Sequence, residues 1–216
     1  MDAQRSERLF EAYLSCHGFK YERDFPVGKG NIDFRVCSGI STVFCDVKEV
    51  RDSATEVGFT LDAYGHIRSD IQKLREKFGK HRPEEPCVLV SVNSSSNFFT
   101  GLTVARAMLG DVAVDVCVTT KKIVSGVHFP PRGNAKMTKK QNTSISGILV
   151  LDSISANHCL FTNPFAQIPV PEGFFSEVRT VPLARELRGP KLTALSNLMF
   201  WCLAEGTEPT EDSVED

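Results

Sequence analysis

The chain reads as an α/β protein, with a central mixed β-sheet flanked by helices and a C-terminal β/helical extension. Three observations predict this. Two segments space their apolar residues by threes and fours; two short alternating runs are joined by a hairpin-length connection; and Cys87–Asn93 is apolar almost without a break, as a strand covered on both faces must be.

The first helix is predicted from about Ala3 to His17. Leu9, Phe10, Tyr13 and Leu14 form its apolar stripe, and Gly18 supplies the stop. At about 100° per residue Glu7 lies on the edge of that stripe, whereas Glu11 is turned further towards solvent. Two strands follow, Asn31–Val36 and Val43–Val50, linked through Cys37-Ser38-Gly39-Ile40-Ser41. Strand side chains alternate between faces, so Asp46 and Lys48 project together while Cys45 and Val47 point the other way. In the first strand Ile32, Phe34 and Val36 are expected to face a core while Asp33 points with the other acid. A second helix, about Asp62 to Gly79, carries Tyr64, Ile67, Ile71, Leu74 and Phe78 towards the sheet, with Arg68 and Arg75 on one edge, Gln72 beyond them, and Lys73 and Lys77 on the far side. Cys87–Asn93 is then the buried central strand, which gives helices covering a mixed sheet.

Beyond residue 93 a short helix is read between Phe98 and Gly110, and strands at Val112–Val118 and Gly147–Leu151. The proline-punctuated stretch from Asn163 to Pro171 reads as a connection packed across the domain. A helix from about Leu192 to Ala204 is apolar around much of its circumference, so it must be covered by the sheet or by a second copy of the chain, leaving a homodimer open. The whole is read as one domain, 1–205, with its core motif region at about 5–93 and the extension at about 94–205. An acidic tail without aromatics, 206–216, is read as disordered.

The chemistry concentrates on Asp33, Asp46 and Lys48. Two carboxylates brought together repel, and burying them unpaired is costly, so such a pair calls for a cation between them. Mg²⁺ suits it, because it takes oxygen ligands and usually only one or two carboxylates, the remainder being water and phosphate. A lysine beside that ion can orient the attacking water or offset charge on the phosphate. On its own, Asp-x-Lys on a strand is more often a solvated ion pair worth well under about 1 kcal/mol. The separate upstream acid, the hairpin between them and the preceding helix favour the site. Glu7 is the third acidic candidate, balanced by its reading as an exposed acid near a helix N-terminus.

The succession of a helix bearing Glu7, Asp33 on a strand and Asp46-Val47-Lys48 on the next resembles the PD-(D/E)xK nuclease superfamily, over roughly residues 5 to 93. The resemblance implies a restriction-endonuclease-like fold and a metal-dependent nuclease acting most naturally on DNA. It implies that Asp33, Asp46 and Glu7 bind Mg²⁺, with Mn²⁺ able to substitute, and that Lys48 assists the water. Ile32 stands where the name-giving proline would be, and position 46 is Asp where many members have Glu; the motif permits both. Gln72 and Arg68, on the helix after the lysine strand, and Arg75 beside them, are candidates for substrate contact. The alternative is a catalytically inactive member of that fold that binds nucleic acid or regulates another protein.

Between Asp115 and Asp152 there is no acidic residue, while Lys121, Lys122, Arg132, Lys136, Lys139 and Lys140 all fall there. In a chain of net charge −2 such a segment is where a phosphate backbone would be held, so Arg132, Lys136, Lys139 and Lys140 join the nucleic-acid candidates. No run approaches the roughly 20 apolar residues that cross a bilayer, so a cytoplasmic protein without a membrane partner is expected. The seven cysteines are odd in number and lack Cys-x-x-Cys, and the five histidines show no ligand spacing; both facts argue against structural disulfides and zinc. No phosphate-cradling glycine loop is present, which argues against ATP hydrolysis.

Overall fold

The computed structural model describes residues 3–50, 53–55, 58–60, 63–78, 83–93, 101–111, 117–121, 134–152 and 158–183. It is α/β. Helix α1 (Ala3–Cys16) leads into strands β1 (Lys20–Val27), β2 (Gly30–Ser38) and β3 (Ser41–Val50), then a small hairpin, β4 (Ser53–Thr55) and β5 (Gly58–Thr60). Helix α2 (Ala63–Phe78), strand β6 (Cys87–Asn93), helix α3 (Gly101–Leu109) and strands β7 (Gly147–Asp152), β8 (His158–Thr162) and β9 (Arg179–Pro182) follow among the described residues. Seven strands form one mixed sheet in the order β1-β2-β3-β6-β7-β8-β9, with β3, β6 and β7 mutually parallel.

Helix α1 ends as Gly18 predicts. Gly18 adopts φ +72°, its N–H reaches Ser15 O, and the Phe19 N–H reaches back to Leu14 O at 2.9 Å, which satisfies two carbonyls the helix end would leave bare. The β2–β3 hairpin closes with Ser38 opposite Ser41, so Gly39 (φ +58°) and Ile40 alone make the turn.

The sheet separates two cores. Helix α1 packs Phe10, Tyr13 and Leu14 against Phe34, Val36, Cys45, Val47 and alternate residues of β6 and β7. Phe10 is fully buried and meets Phe34 edge to face, ring centres 5.2 Å apart. On the opposite face α2 and α3 bury Ile67, Ile71, Leu74, Phe78, Val104 and Met108 against Ile32, Phe44, Leu89 and Ile148. All seven residues of β6 are buried, as its apolar run requires.

Several expectations need correction. Strand β1 was not expected: Lys20, Glu22, Arg23, Asp24 and Pro26 give it no apolar alternation, and it forms as an edge strand because β2 supplies the pairing. Ile32 and Phe34 do not share a core; the first packs with α2 and the second with α1, so the strand rotates at Asp33. Val118, read as the end of a strand, lies in a turn and is 81% exposed. Strands β8 and β9 were not expected either, being five and four residues long with little periodicity to read. The predicted strand at 112–116, the helix at 192–204, the tail at 206–216 and Arg132 lie outside the described residues. Asn163 anchors the proline-punctuated connection, donating to Ile145 O at 2.7 Å and accepting the Phe165 N–H at 3.0 Å.

Candidate active site

Asp33 sits where the antiparallel ladders give way. The β2–β3 pairs run from Ser38↔Ser41 to Phe34↔Cys45 and stop one residue short of Asp33. On the other side, the β1–β2 pairs skip from Arg23↔Phe34 to Phe25↔Ile32, and Asp24, opposite Asp33, has φ +53°. Strand β3 continues past this opening in the parallel ladder with β6. The backbone N–H of Val47 is accepted by the Asp33 carboxylate, Oδ2 at 2.7 Å. That bond aims Asp33 at the α2-facing side of β3, where Asp46 and Lys48 already point.

Four side chains converge there. Lys48 Nζ lies 2.8 Å from Asp46 Oδ2 and 3.5 Å from Asp33 Oδ2, and donates to its neighbour's carbonyl, Val47 O, at 2.9 Å. From α2, Lys77 Nζ reaches Asp33 Oδ1 at 3.1 Å and also bonds Asp46 Oδ1. The two lysines thus divide the four carboxylate oxygens, Lys48 on the Oδ2 pair and Lys77 on the Oδ1 pair. Asp46 is fully buried, and Lys48 approaches its Oδ2 outside hydrogen-bonding alignment, so that oxygen has a counter-charge but no aligned donor.

The electrostatics follow. Burial works against the charge on Asp33, but Lys48, Lys77 and the Val47 N–H outweigh it and hold its carboxyl below the usual range. Burial and the nearby Asp33 charge push Asp46 up, only partly offset by the two lysines. Burial opposes the Lys77 ammonium as well, yet Asp46 and Asp33 raise it above an ordinary lysine. One carboxylate is therefore secured as an anion and its neighbour carries the strain of the pair.

Lys77 falls on the side of its helix far from Arg68 and Arg75, and carries no site role in the sequence pattern. Its position, about 90° from the centre of the apolar stripe, could have flagged it. What the helix alone does not show is the turn between β1 and β2, which brings α2 down onto the acids. Gly28 (φ +51°) lies so close that a Cβ there would stand 2.5 Å from Phe78 O, and Lys29 donates its N–H to Lys77 O at 2.9 Å. The last turn of α2 is thereby fixed beside β2.

The other candidates fall elsewhere. Glu7 is bound by Arg23 of β1 at 2.6 Å, and Arg23 also reaches Glu11 at 3.5 Å. Burial raises the Glu7 carboxyl, with a further contribution from Asp33, so the two acids feel one another. Even so, among the described residues no three His, Cys, Asp or Glu side chains gather as a metal-binding group. Arg68 and Arg75 lie on the edge of α2 opposite Lys77 by helical geometry. Arg68 bonds Tyr64 Oη at 3.1 Å and Asn134 O and stacks over the Tyr64 ring, while Gln72 donates to Glu76 at 3.0 Å and Arg75 is exposed. Lys136 is tied through its backbone to Met108 O at 3.0 Å, and Lys139 and Lys140 stand exposed on the turn between Thr138 and Gln141. Among the described residues none of these basic or amide side chains bonds Asp33, Asp46 or Lys48. Arg68 and the segment from Asn134 form a region of their own, about 14 Å along α2 from Lys77 at 1.5 Å per residue.

The acids suit a hard divalent cation. Two adjacent carboxylates supply the oxygen donors that Mg²⁺ uses, Asp46 Oδ2 lacks an aligned donor, and an ammonium already bridges the pair. Set against family models, curated proteins and solved structures, the chain finds no match.

Proposed function

We propose that this chain is a restriction-endonuclease-like, metal-dependent nuclease that hydrolyses phosphodiester bonds in DNA. The observation that carries the reading is the convergence of Asp33, from one strand, with Asp46 and Lys48 from its neighbour, within ion-pair distance on one face of the sheet. Asp33 and Asp46 would hold Mg²⁺ or Mn²⁺, which when bound makes water a better nucleophile and takes up charge on the phosphate. Lys48, fixed by the Val47 carbonyl, holds the attacking water and offsets the charge that develops on phosphate oxygens. Val47 itself fixes the Asp33 carboxylate, so one residue orients both the acid and the lysine. Glu7, held by Arg23, stays a third acidic candidate that acts on Asp33 through its charge. Arg68, about 14 Å along α2 from Lys77, would carry the DNA backbone together with Lys136, Lys139 and Lys140.

The test is cleavage of plasmid and linear DNA by purified protein with Mg²⁺ or Mn²⁺, compared with Asp33→Ala, Asp46→Ala and Lys48→Ala. Each change is expected to lower the rate by about a hundredfold or more, the loss typical of removing one preorganised electrostatic group. Cleavage that survives all three removes the assignment.

One observation favours the inactive alternative: two lysines already balance the two carboxylates without any metal. Calorimetry separates the readings. If Mn²⁺ binds the wild type no better than it binds Asp33→Ala, the chain is a nucleic-acid-binding or regulatory scaffold.

A further inference from the structure

We infer that Lys77 is the resident cation of the metal-free site, and that a divalent ion enters by displacing its ammonium from the Oδ1 oxygens of Asp33 and Asp46. The inference rests on the metal-site reading above and adds to it a competitor built into the chain.

The two lysines are held differently. Lys48 belongs to β3, inside the sheet, and its ammonium has a third partner in Val47 O. Its Oδ2 partner on Asp33 is also tied to the Val47 N–H. Lys77 enters from a separate element, and among the described residues its ammonium bonds the two Oδ1 atoms and no backbone group. Moving the one Lys77 side chain therefore frees an oxygen of each acid at once, whereas the Asp33 Oδ2 stays tied to the Val47 N–H.

Charge favours the exchange there. Asp33, Asp46, Lys48 and Lys77 formally sum to zero, so a divalent ion added to the intact cluster would stand beside two ammoniums with only two carboxylates to share. Once Lys77 leaves, the Oδ1 pair is free and a like charge has gone with it. The main chain need not move, since Gly28 packs against the last turn of α2 and the Lys29 N–H holds Lys77 O. The four-carbon stem can swing about a fixed Cα into solvent, where the side chain is already 26% exposed.

The experiment is Mn²⁺ titration by calorimetry, without nucleic acid, of the wild type, Lys77→Met, Lys77→Gln and Asp46→Asn. Thermal melts establish that each variant is folded. Gln keeps a hydrogen-bond donor and loses the charge, so it remains informative if Met destabilises the cluster. Both Lys77 variants are expected to bind Mn²⁺ at least about tenfold more tightly than the wild type, as removal of a like charge a few ångströms away requires, and Asp46→Asn is expected to lose binding. Equal or weaker binding by the Lys77 variants, with Asp46→Asn still inactive in binding, overturns the exchange and leaves the metal site standing. Tight binding by the variants with none by the wild type shows that Lys77 locks the site against the ion instead of yielding to it, and overturns the exchange. Absence of binding in all of them refutes both.

Discussion

Gly28→Ala tests whether the fold itself places Lys77. The residue has φ +51°, and a left-handed conformation costs an alanine about 1–2 kcal/mol relative to glycine. The added Cβ would also stand 2.5 Å from Phe78 O, 3.0 Å from Phe78 C and 3.1 Å from Lys77 O, all backbone atoms that no side-chain rotation can clear. Relief means lifting the last turn of α2, which puts the Lys29 N–H to Lys77 O bond at risk, worth about 1 kcal/mol net. Together these predict a loss of about 2–4 kcal/mol. Gly18→Ala is the matched control, because Gly18 has φ +72° but nothing within 4 Å of its Cβ position, and it should lose only the conformational part, about 1–2 kcal/mol. Urea unfolding measures both, with the midpoint shifting at constant slope. If Gly28→Ala proves no more destabilising than Gly18→Ala, the close packing of α2 on the β1–β2 turn is not what holds Lys77 at the acids.

Other consequences are open to direct measurement. Phe10→Ala empties a fully buried site under α1 and should destabilise by about 3–5 kcal/mol, read by the same urea titration; a loss under 1 kcal/mol would mean that α1 is not packed on the sheet as described. Asn163→Ala strips the buried donor to Ile145 O and should cost about 1–3 kcal/mol, whereas a neutral result would show that water replaces it. In the folded protein Cys45, Cys87 and Cys159 are buried, and burial pushes the Cys45 and Cys87 thiols well up, so mass mapping after brief thiol labelling should find them unmodified while exposed Cys16 reacts. Rapid labelling of Cys45 would contradict the α1-side core.

The acids and Lys48 were legible because their geometry is local. Period-two alternation puts Asp46 and Lys48 on one face, and a two-residue hairpin then fixes which part of β2 lies opposite. What was not legible depends on non-local packing. The rotation of β2 at Asp33 arises where two ladders lapse, and no pattern in Asn31–Val36 announces it. Glu7 was placed by its helical angle, but its partner Arg23 lies on β1, a strand whose charged composition hid it. Lys77 reads only as a lysine on the far side of an amphipathic helix; the turn at Gly28 shows where that side is pressed. The basic segment is a local excess of charge in the composition, and composition cannot say that Asn134 within it bonds Tyr64 and Arg68.

The same charged composition that conceals β1 also bears on what its outer edge can pair with. A sheet edge offers unpaired backbone groups to any passing strand, and continuous edges invite end-to-end growth. Here a strand laid along β1 would have to strip water from Lys20, Glu22, Arg23 and Asp24, follow the backbone through the left-handed turn at Asp24, and meet Pro26, which has no N–H to give. At the other end of the sheet β9 is only four residues long and finishes on Pro182. Among the described residues both borders of the sheet thus disfavour the addition of a further strand.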